Sequence, residues 1–253
     1  MSIPLLRPRW SAPPPVRAVC SLRAGGVSAA PFESLNLGDH VGDSPESVVE
    51  NRRRLQAALE LAAEPLWLRQ VHGTRVCEVD TEWPVSLRGA TDVASADACV
   101  TRVPERALAI LVADCMPILL ASDTGEVIAA AHAGWRGLAA GILEATVAAM
   151  RCDPARLCAW LGPAIGAAHF EVGGEVRSAF LAADTRAAAA FSPNARGRWQ
   201  CDLGLLARQR LQRLGVAAIS GGEYCTFADA ARFYSYRRDG LTGRMAALLW
   251  LQP

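Results

Sequence analysis

Residues 115–132 have the sequence Cys-Met-Pro-Ile-Leu-Leu-Ala-Ser-Asp-Thr-Gly-Glu-Val-Ile-Ala-Ala-Ala-His, which predicts a β-hairpin. Two apolar runs flank a short polar segment that contains glycine, a composition typical of a tight turn between antiparallel strands. If Thr124-Gly125 forms a two-residue turn, Pro117 pairs with His132, and Cys115 lies two residues away on the same face. We therefore expect Cys115 and His132 to be diagonal neighbours, with about 7–8 Å between their backbones. A turn longer by one residue would place the two side chains on opposite faces.

On either side of this hairpin, strand patterns and helix patterns are interspersed. Strands are predicted at residues 16–22, 107–112 and 245–251, and as a pair within 66–79 around His72-Gly73-Thr74; helices are predicted at 45–62, from Gly137 to about 150, near 174–183 and at 202–214. Ser44 before Pro45 provides an N-cap for the first helix, and Gly215 ends the last one. Hairpins among helices favour a mixed α+β fold over a strict βαβ repeat. We expect a single domain over residues 1–253, with a proline-rich segment at residues 1–15.

The composition excludes several mechanisms and gives no support to others. All 26 basic residues are arginine, so no lysine can form a Schiff base, anchor pyridoxal phosphate or serve a P-loop. The four histidines are too few for a multicopper oxidase, whose sites together need about ten imidazoles, so copper is not the expected metal. The net charge of +1 gives no indication of a nucleic-acid partner or an acidic membrane surface.

Cysteine usage and the lack of long apolar runs indicate the compartment. The eight cysteines form no CxxC pair and show no regular spacing, as expected for buried thiols in a reducing environment. No stretch resembles a signal peptide, and none reaches about 18 apolar residues. We therefore expect a cytoplasmic protein without a membrane span.

A metal site is the first chemical interpretation of the hairpin. Cys115 and His132 can converge on one ion, and His72, beside a glycine at a predicted strand end, is a possible third ligand. Two histidines and one cysteine leave a fourth position for water, which is the pattern of a catalytic zinc. His40 and His169 are equally available from composition alone. Without a metal, Cys115 is either a buried core thiol or a nucleophile with His132 as its base.

Two arginine-containing segments are candidate anion sites. Gly134-Trp135-Arg136-Gly137 leads into a helix, where free backbone N–H groups and the Arg136 guanidinium could hold phosphate; an ordinary turn with a solvated arginine is the alternative. The C-terminal segment has four arginines close to three aromatic rings, which would suit a nucleoside or a phosphorylated ligand unless the arginines simply form a solvated face. These residues are Arg232, Phe233, Tyr234, Tyr236, Arg237, Arg238 and Arg244.

Seven sequence blocks together resemble one known family. They are Ser34-Leu35-Asn36-Leu37-Gly38 with His40-Val41-Gly42-Asp43, Glu50-Asn51-Arg52-Arg53, Arg69-Gln70-Val71-His72-Gly73, Ala113-Asp114-Cys115-Met116-Pro117, His132-Ala133-Gly134-Trp135-Arg136-Gly137, Gly162-Pro163-Ala164-Ile165-Gly166 and Tyr234-Ser235-Tyr236-Arg237-Arg238-Asp239-Gly240. In this order they resemble the YfiH-like family, whose members are described as purine nucleoside phosphorylases and were formerly labelled polyphenol oxidases or laccases. Met116 replaces a leucine that many relatives carry, a volume-conserving change.

The resemblance implies a fold, a metal and a reaction. It implies one α+β domain of packed mixed sheets with outer helices, and one zinc per chain held by His72, Cys115 and His132. It also implies phosphorolysis of adenosine, inosine and methylthioadenosine to free base and (methylthio)ribose 1-phosphate, with inorganic phosphate as co-substrate, and adenosine deamination by zinc-activated water. The oligomeric state is left open.

The matching blocks also give candidate roles to single residues. Besides Cys115, the candidate catalytic residues are Asp114, as a proton shuttle, and Arg136, as a phosphate cradle at the helix start. The candidate substrate-binding residues are Asn36, Arg52, Gln70 and Arg237.

Three other functions remain open from the sequence. They are a cysteine–histidine hydrolase or deamidase, a hydrolase that edits a peptidoglycan precursor, and a non-catalytic interaction protein stabilised by zinc.

Overall fold

The computed structural model describes residues 3–82 and 94–253, and these contain strands, α-helices and two short 3₁₀ segments. The strands are β1 (Leu5–Leu6), β2 (Val16–Ser21), β3 (Val76–Glu78), β4 (Ala98–Thr101), β5 (Leu108–Val112), β6 (Met116–Ser122), β7 (Ile128–Ala133), β8 (Leu157–Leu161), β9 (Glu171–Val172), β10 (Phe191–Pro193), β11 (Trp199–Cys201), β12 (Ala218–Gly221) and β13 (Met245–Leu251). The helices are α1 (Pro45–Ala58), α2 (Val79–Glu82), α3 (Trp135–Ala140), α4 (Ile142–Met150), α5 (Gly174–Ala183), α6 (Leu203–Arg213) and α7 (Tyr236–Asp239). The 3₁₀ segments are Pro154–Arg156 and Thr185–Ala190.

The predicted hairpin forms the centre of the largest sheet. Strands β6 and β7 are antiparallel, and Pro117 pairs with His132, which is the predicted register. The turn is closed by hydrogen bonds from Gly125 N to Ser122 O at 3.0 Å and from Ser122 N to Val127 O at 3.0 Å, so it is centred on Asp123-Thr124 and not on the predicted Thr124-Gly125. The register is the same in both cases, because the longer connection adds one residue to each side of the predicted turn. Among the described residues, this sheet has six strands in the order β12-β8-β6-β7-β4-β3.

A second sheet packs face to face with the first. It has the order β1-β2-β13-β5, and all of its neighbouring strands are antiparallel. Leu108 and Ile110 of β5 are fully buried in one cluster with Leu119 of β6 and with Ile128 and Ala130 of β7. These side chains occur at every second position because alternate residues of a strand point to the same face. The main core therefore lies between the two sheets.

The other faces of both sheets are covered by helices. Ile118 and Leu120 of β6 belong to one buried cluster with Leu143 of α4 and Leu206 of α6, and a small sheet of order β10-β11-β9 completes this layer. On the opposite side of the molecule, Leu55 of α1 belongs to a cluster with the outer face of the four-stranded sheet. Two layers of sheet between helical layers are an α+β architecture, so the predicted fold class is confirmed.

Capping explains where the predicted helices begin and end. The Ser44 side chain accepts a hydrogen bond from Ser47 N, and Pro45 is the first residue of α1. Helix α1 ends at Ala58, four residues before the predicted boundary. Asp202 accepts a hydrogen bond from Leu205 N at 2.8 Å and caps α6, and Gly215 follows this helix with φ of +96°.

Two further details of the predicted secondary structure are wrong. The helix expected from Gly137 to about residue 150 begins at Trp135 and is divided into α3 and α4, because Gly141 adopts φ of +103°. Within residues 66–79, only β3 is a regular strand, while Leu66 and Arg69 form isolated bridges. Within the described ranges, no helix combines the length and the apolar character needed to cross a bilayer.

Candidate metal centre

Three side chains from distant parts of the chain meet at one end of the six-stranded sheet. Nε2 of His72 lies 3.9 Å from Sγ of Cys115, and the rings of His72 and His132 are 4.8 Å apart between centroids. One nitrogen or sulfur atom of each residue lies within 4.8 Å of the other two. Within the described part of the chain, no other group of three His, Cys, Asp or Glu side chains has this geometry. The fold therefore assembles the trio that the sequence singled out.

The other two histidines lie apart from this cluster. His40 is exposed beside Asp39, with Nδ1 at 3.4 Å from a carboxylate oxygen. His169 stacks on Phe227 with 4.5 Å between ring centroids. Composition alone could not rank these residues as ligands, whereas the tertiary structure separates them from Cys115.

Each ligand candidate is placed by a different local feature. Cys115 directly precedes β6, and His132 lies in β7 opposite Pro117, so the hairpin register brings sulfur and imidazole together. His72 belongs to a loop and has φ of +60°, a left-handed conformation that is uncommon for residues other than glycine. The positive φ belongs to His72 itself and not to the glycine beside it, Gly73. His72 is exposed, Cys115 is partly buried and His132 is buried, so the cluster opens to solvent on the His72 side.

Asp97 holds His132 and the backbone of residues 71–73 in place, and it was not identified from the sequence. Its Oδ1 accepts hydrogen bonds from Nδ1 of His132 at 2.9 Å and from the backbone N of His72 at 2.8 Å. Its Oδ2 accepts from the backbone N of Gly73 at 2.7 Å and of Val71 at 3.2 Å. A carboxylate bonded to Nδ1 of a ligand histidine fixes the ring orientation and leaves Nε2 for a metal. An aspartate inside the otherwise apolar run at residues 96–100 was the available signal.

Opposite charges stabilise each other within the cluster. Burial alone raises the pKa of the Cys115 thiol, but the charge and hydrogen bonding of His132 and His72 lower it to about 6. Burial alone lowers the pKa of His132, but the Cys115 thiolate and the Asp97 carboxylate raise it to about 9. A thiolate is therefore the prevalent form of Cys115 near neutral pH, and a thiolate is the form that binds metals.

The donor set fits a zinc ion. Zinc–sulfur bonds near 2.3 Å and zinc–nitrogen bonds near 2.0 Å in tetrahedral geometry place the two donor atoms about 3.6 Å apart. The distance between Sγ of Cys115 and Nε2 of His72 is 3.9 Å, so little movement is needed. Three protein ligands with one open position are the pattern of catalytic zinc.

Asn36 and Gln70, both predicted to bind substrate, make hydrogen bonds to the protein backbone, and Asn36 also donates to the Asp43 carboxylate at 2.9 Å. The buried Asn36 amide donates to Gly38 O at 3.0 Å, and its oxygen accepts from the backbone N of Gly38 at 3.0 Å and of Arg244 at 2.8 Å. The Gln70 amide donates to Leu111 O at 2.9 Å and accepts from Leu111 N at 2.8 Å. Both amides hold segments near the cluster together.

The predicted charged residues differ in how free their side chains are. Asp114 accepts hydrogen bonds from the Thr226 hydroxyl at 2.6 Å and from the Arg237 backbone N at 2.7 Å, so both carboxylate oxygens have partners. The Arg237 guanidinium donates to the Glu171 carbonyl at 2.9 Å. Arg52 donates from Nε to a carbonyl at 3.0 Å and stacks over a tryptophan ring. Arg136 is exposed, with its guanidinium 4.5 Å from the centroid of the Trp135 ring.

Comparison with known proteins identifies the family. Residues 17–252 match the model of a family described as multi-copper polyphenol oxidoreductase laccase. A Pseudomonas aeruginosa protein named purine nucleoside phosphorylase is 54% identical over 248 residues, which are 98% of each chain. The purine nucleoside phosphorylase YfiH of Escherichia coli is 49% identical over 247 residues, again 98% of each chain. The chain belongs to the YfiH-like family.

Solved structures have the same fold as this YfiH-like protein. A crystal structure of a Neisseria meningitidis protein has a TM-score of 0.92 at 43% identity and covers 98% of this chain and 99% of its own. The YfiH protein of Bacillus licheniformis has a TM-score of 0.87 at 30% identity and covers 94% of this chain and 93% of its own. The resemblance inferred from seven sequence blocks is thereby confirmed. The family description refers to copper, but a chain with four histidines cannot supply a multicopper set.

Proposed function

We propose that this YfiH-like protein is a zinc-dependent purine nucleoside phosphorylase that also deaminates adenosine. The proposed substrates are adenosine, inosine and methylthioadenosine, with inorganic phosphate as co-substrate. One observation carries the proposal: His72, Cys115 and His132 converge on a site open to solvent, in a chain about half identical to proteins named purine nucleoside phosphorylases. The donor set favours zinc over copper, because one thiolate and two imidazoles with an open fourth position are typical of catalytic zinc.

The metal and the surrounding residues would have different roles in the reaction. A zinc ion held by the trio would supply Lewis-acid chemistry, including the acidification of a water molecule. Asp97 keeps His132 in the tautomer that presents Nε2 to the site, and its bond to His72 N fixes the exposed ligand loop. The Cys115 thiolate adds a negative charge that is compensated by the two imidazoles.

Asp114 has a proposed role next to the trio, and phosphorolysis also needs a cation. The Asp114 carboxylate adjoins Cys115 in sequence and accepts a hydrogen bond from the Thr226 hydroxyl, and this pair would relay the proton that deamination must move. Phosphorolysis instead requires a cation that holds phosphate in line with the glycosidic bond. Arg136 at the start of α3 is the candidate that the sequence suggested for this task.

The test is incubation of the purified protein with adenosine and phosphate, followed by chromatography. The proposal predicts adenine formed in a phosphate-dependent manner and inosine formed without phosphate, about one zinc per chain, and loss of both activities in His72→Ala. His40→Ala is the matched control, because this imidazole is exposed and makes one 3.4 Å contact with Asp39 outside the cluster. Activity that is equal in both variants would contradict the proposal.

A metal-free cysteine hydrolase is the second candidate function. Cys115, His132 and Asp97 form a chain in which a thiolate faces an imidazole that is oriented by a carboxylate at 2.9 Å. Nucleophile, base and orienting acid in this order are the arrangement of cysteine and serine hydrolases. Chelation separates the two functions. A zinc enzyme loses activity with the metal and recovers it on zinc addition, whereas a cysteine hydrolase retains activity and is inactivated by iodoacetamide.

A further inference from the structure

Arg244 is a half-buried arginine whose charge has no carboxylate partner in the described part of the chain. Its Nη1 donates to the carbonyl oxygens of Thr242 at 2.9 Å and Gly243 at 3.1 Å. Nε and Nη2 make no hydrogen bond to any described residue, and neither is among the fully buried polar atoms that lack a partner. Three N–H donors of the guanidinium therefore remain free for a ligand.

The strand register places Arg244 beside the metal centre. Met245 of β13 pairs with Val112 of β5, so Arg244 lies opposite Ala113, next to Asp114 and Cys115 in sequence. Burial lowers the pKa of Arg244, and the negative charges of Cys115 and Asp114 oppose this effect. A guanidinium remains charged in such surroundings, so the site carries a fixed positive charge close to the trio.

The protein builds a rigid frame around this side chain. The Asn36 amide oxygen accepts the Arg244 backbone N–H at 2.8 Å, and Leu37 N donates to Arg244 O at 3.0 Å. A Cβ atom on Gly38 would lie 2.8 Å from Cγ of Arg244, so this glycine lets the chain pass directly over the arginine stem. The Tyr236 ring lies 5.9 Å from the guanidinium. These contacts hold the edge of the guanidinium formed by Nε and Nη2 in a fixed direction, so binding a ligand there costs little conformational entropy.

The other arginines of the C-terminal segment are either paired with carboxylates or exposed. Arg237 donates from Nη1 to Glu171 O at 2.9 Å and is exposed. Arg232 pairs with Asp229 at 2.5 Å, and Arg238 pairs with Asp239 at 2.7 Å. Arg136, at the other candidate anion site, is exposed and stacked on a tryptophan. Arg244 is thus the arginine near the trio that combines partial burial, anchoring and free donors.

We propose that Arg244 binds the phosphate co-substrate through its Nε–Nη2 edge, an inference that rests on the proposed phosphorolysis. Two parallel N–H groups match two oxygens of a phosphate group. A third phosphate oxygen forms the new bond to the anomeric carbon of the ribose while the glycosidic C–N bond breaks. The electron pair of that bond goes to the base nitrogen, which takes up the proton that hydrogen phosphate gives up, directly or through water, and the products are ribose 1-phosphate and free base. Arg244 itself changes no bond, and Asn36 is a positioning residue that acts through it.

The test compares Arg244→Gln and Arg244→Lys with wild-type protein, all loaded with zinc. In Arg244→Gln, the KM for phosphate is expected to rise at least tenfold, while the KM for adenosine and the phosphate-free deamination rate stay within about twofold. Lysine restores the charge without the paired donors, so Arg244→Lys should recover only part of the loss. Arg156→Gln is the matched control, since this arginine pairs with Asp123 at the far end of the hairpin.

Two outcomes overturn the inference. One is a phosphate KM in Arg244→Gln within twofold of wild type. The other is a larger rise in the phosphate KM in Arg136→Gln than in Arg244→Gln.

Calorimetric titration with inorganic phosphate separates this inference from the proposed function. If wild-type protein releases no base, the proposed phosphorolysis is wrong, and loss of phosphate binding specifically in Arg244→Gln still supports the anion site. If the wild type binds no phosphate, or binds it as tightly as Arg244→Gln does, the anion site is wrong.

Discussion

Replacing Asp97 by asparagine tests the organisation of the metal centre. The two side chains have nearly the same shape, but asparagine has one acceptor oxygen where aspartate has two. If the amide NH₂ takes the place of Oδ2, the N–H groups of Val71 and Gly73 face another donor. If it takes the place of Oδ1, the His72 N–H loses its acceptor, and His132 must accept at Nδ1 and carry its proton on Nε2. Both orientations damage the loop or the ligand tautomer.

The magnitude follows from these contacts. A fully buried donor left without an acceptor costs about 1–3 kcal/mol, and the partly exposed N–H groups of this loop fall at or below the lower end, so two of them cost about 2 kcal/mol at most. This is a measurable part of the about 5–15 kcal/mol by which domains are stable. Loss of a carboxylate that orients a ligand histidine typically lowers metal affinity about 10–100-fold. Asp97→Asn should therefore have both a lower denaturation midpoint as the metal-free protein and weaker zinc binding.

Asp80→Asn provides the matched control at the other end of the same strand. Asp80 accepts hydrogen bonds from the Thr101 hydroxyl at 2.5 Å and from Arg102 N at 2.9 Å, just past the end of β4 distant from Asp97. The assays are urea denaturation of the metal-free protein and zinc competition with a chromophoric chelator. Zinc affinity in Asp97→Asn equal to that in Asp80→Asn would refute the assignment of Asp97 as the orienting residue.

Three further predictions concern the same site. In Gly134→Ala, the new Cβ would lie 2.9 Å from Sγ of Cys115 and 3.1 Å from the His72 ring, so zinc affinity should fall at least tenfold with little loss of fold stability in the metal-free protein. Alkylation of Cys115 in the metal-free protein should rise with pH around 6, well below the usual thiol range, because its pKa is lowered to about 6 and the thiolate is the reactive form. Asp114→Asn should retain its fold and zinc, since an amide can donate to the Thr226 hydroxyl and accept from Arg237 N, but should lose adenosine deamination and keep phosphorolysis.

Each of these predictions has a control and a contrary result. Gly174→Ala adds a methyl group where no atom lies within 4 Å, so an equal effect on zinc in both glycine variants would contradict the steric argument. Cys115→Ser identifies the alkylated residue by mass spectrometry, and an inflection near pH 8.5 would contradict the lowered pKa. Unchanged deamination in Asp114→Asn would show that this carboxylate holds the segment around α7 without moving a proton.

The sequence was most informative where local rules determine the structure. The polar segment Asp123-Thr124-Gly125-Glu126 indicates a short turn between two apolar runs, and the length of the turn determines which residues of β6 and β7 face each other. The neighbourhood of Cys115 and His132 could therefore be worked out before the structure, although the turn is centred on Asp123-Thr124 and not on Thr124-Gly125. Ser44 and Asp202 likewise identify helix starts because capping depends on neighbours within three residues.

Features that depend on distant backbone groups could not be predicted. Asp97 lies next to β4, but three of its four hydrogen-bond donors belong to the 71–73 loop, whose position is a tertiary property. That loop was assigned partly to a strand, because its apolar content does not reveal that His72 takes a left-handed conformation. Asn36 and Gln70 occur in the expected blocks, yet their amides bond to backbone groups contributed by β5 and by the residue before β13.

The hairpin turn controls the chemistry from a distance. Thr124 is eight residues from His132, roughly 25 Å along an extended strand, and it touches none of the ligand atoms. Both faces of β6 and β7 are apolar and buried, so burial alone penalises a shift by one position only weakly, and loop length carries most of the alignment information. A gene variant with one codon added or lost at this tip could thus yield a folded but inert protein, and natural length variation there should be as restricted as substitution at the ligands themselves.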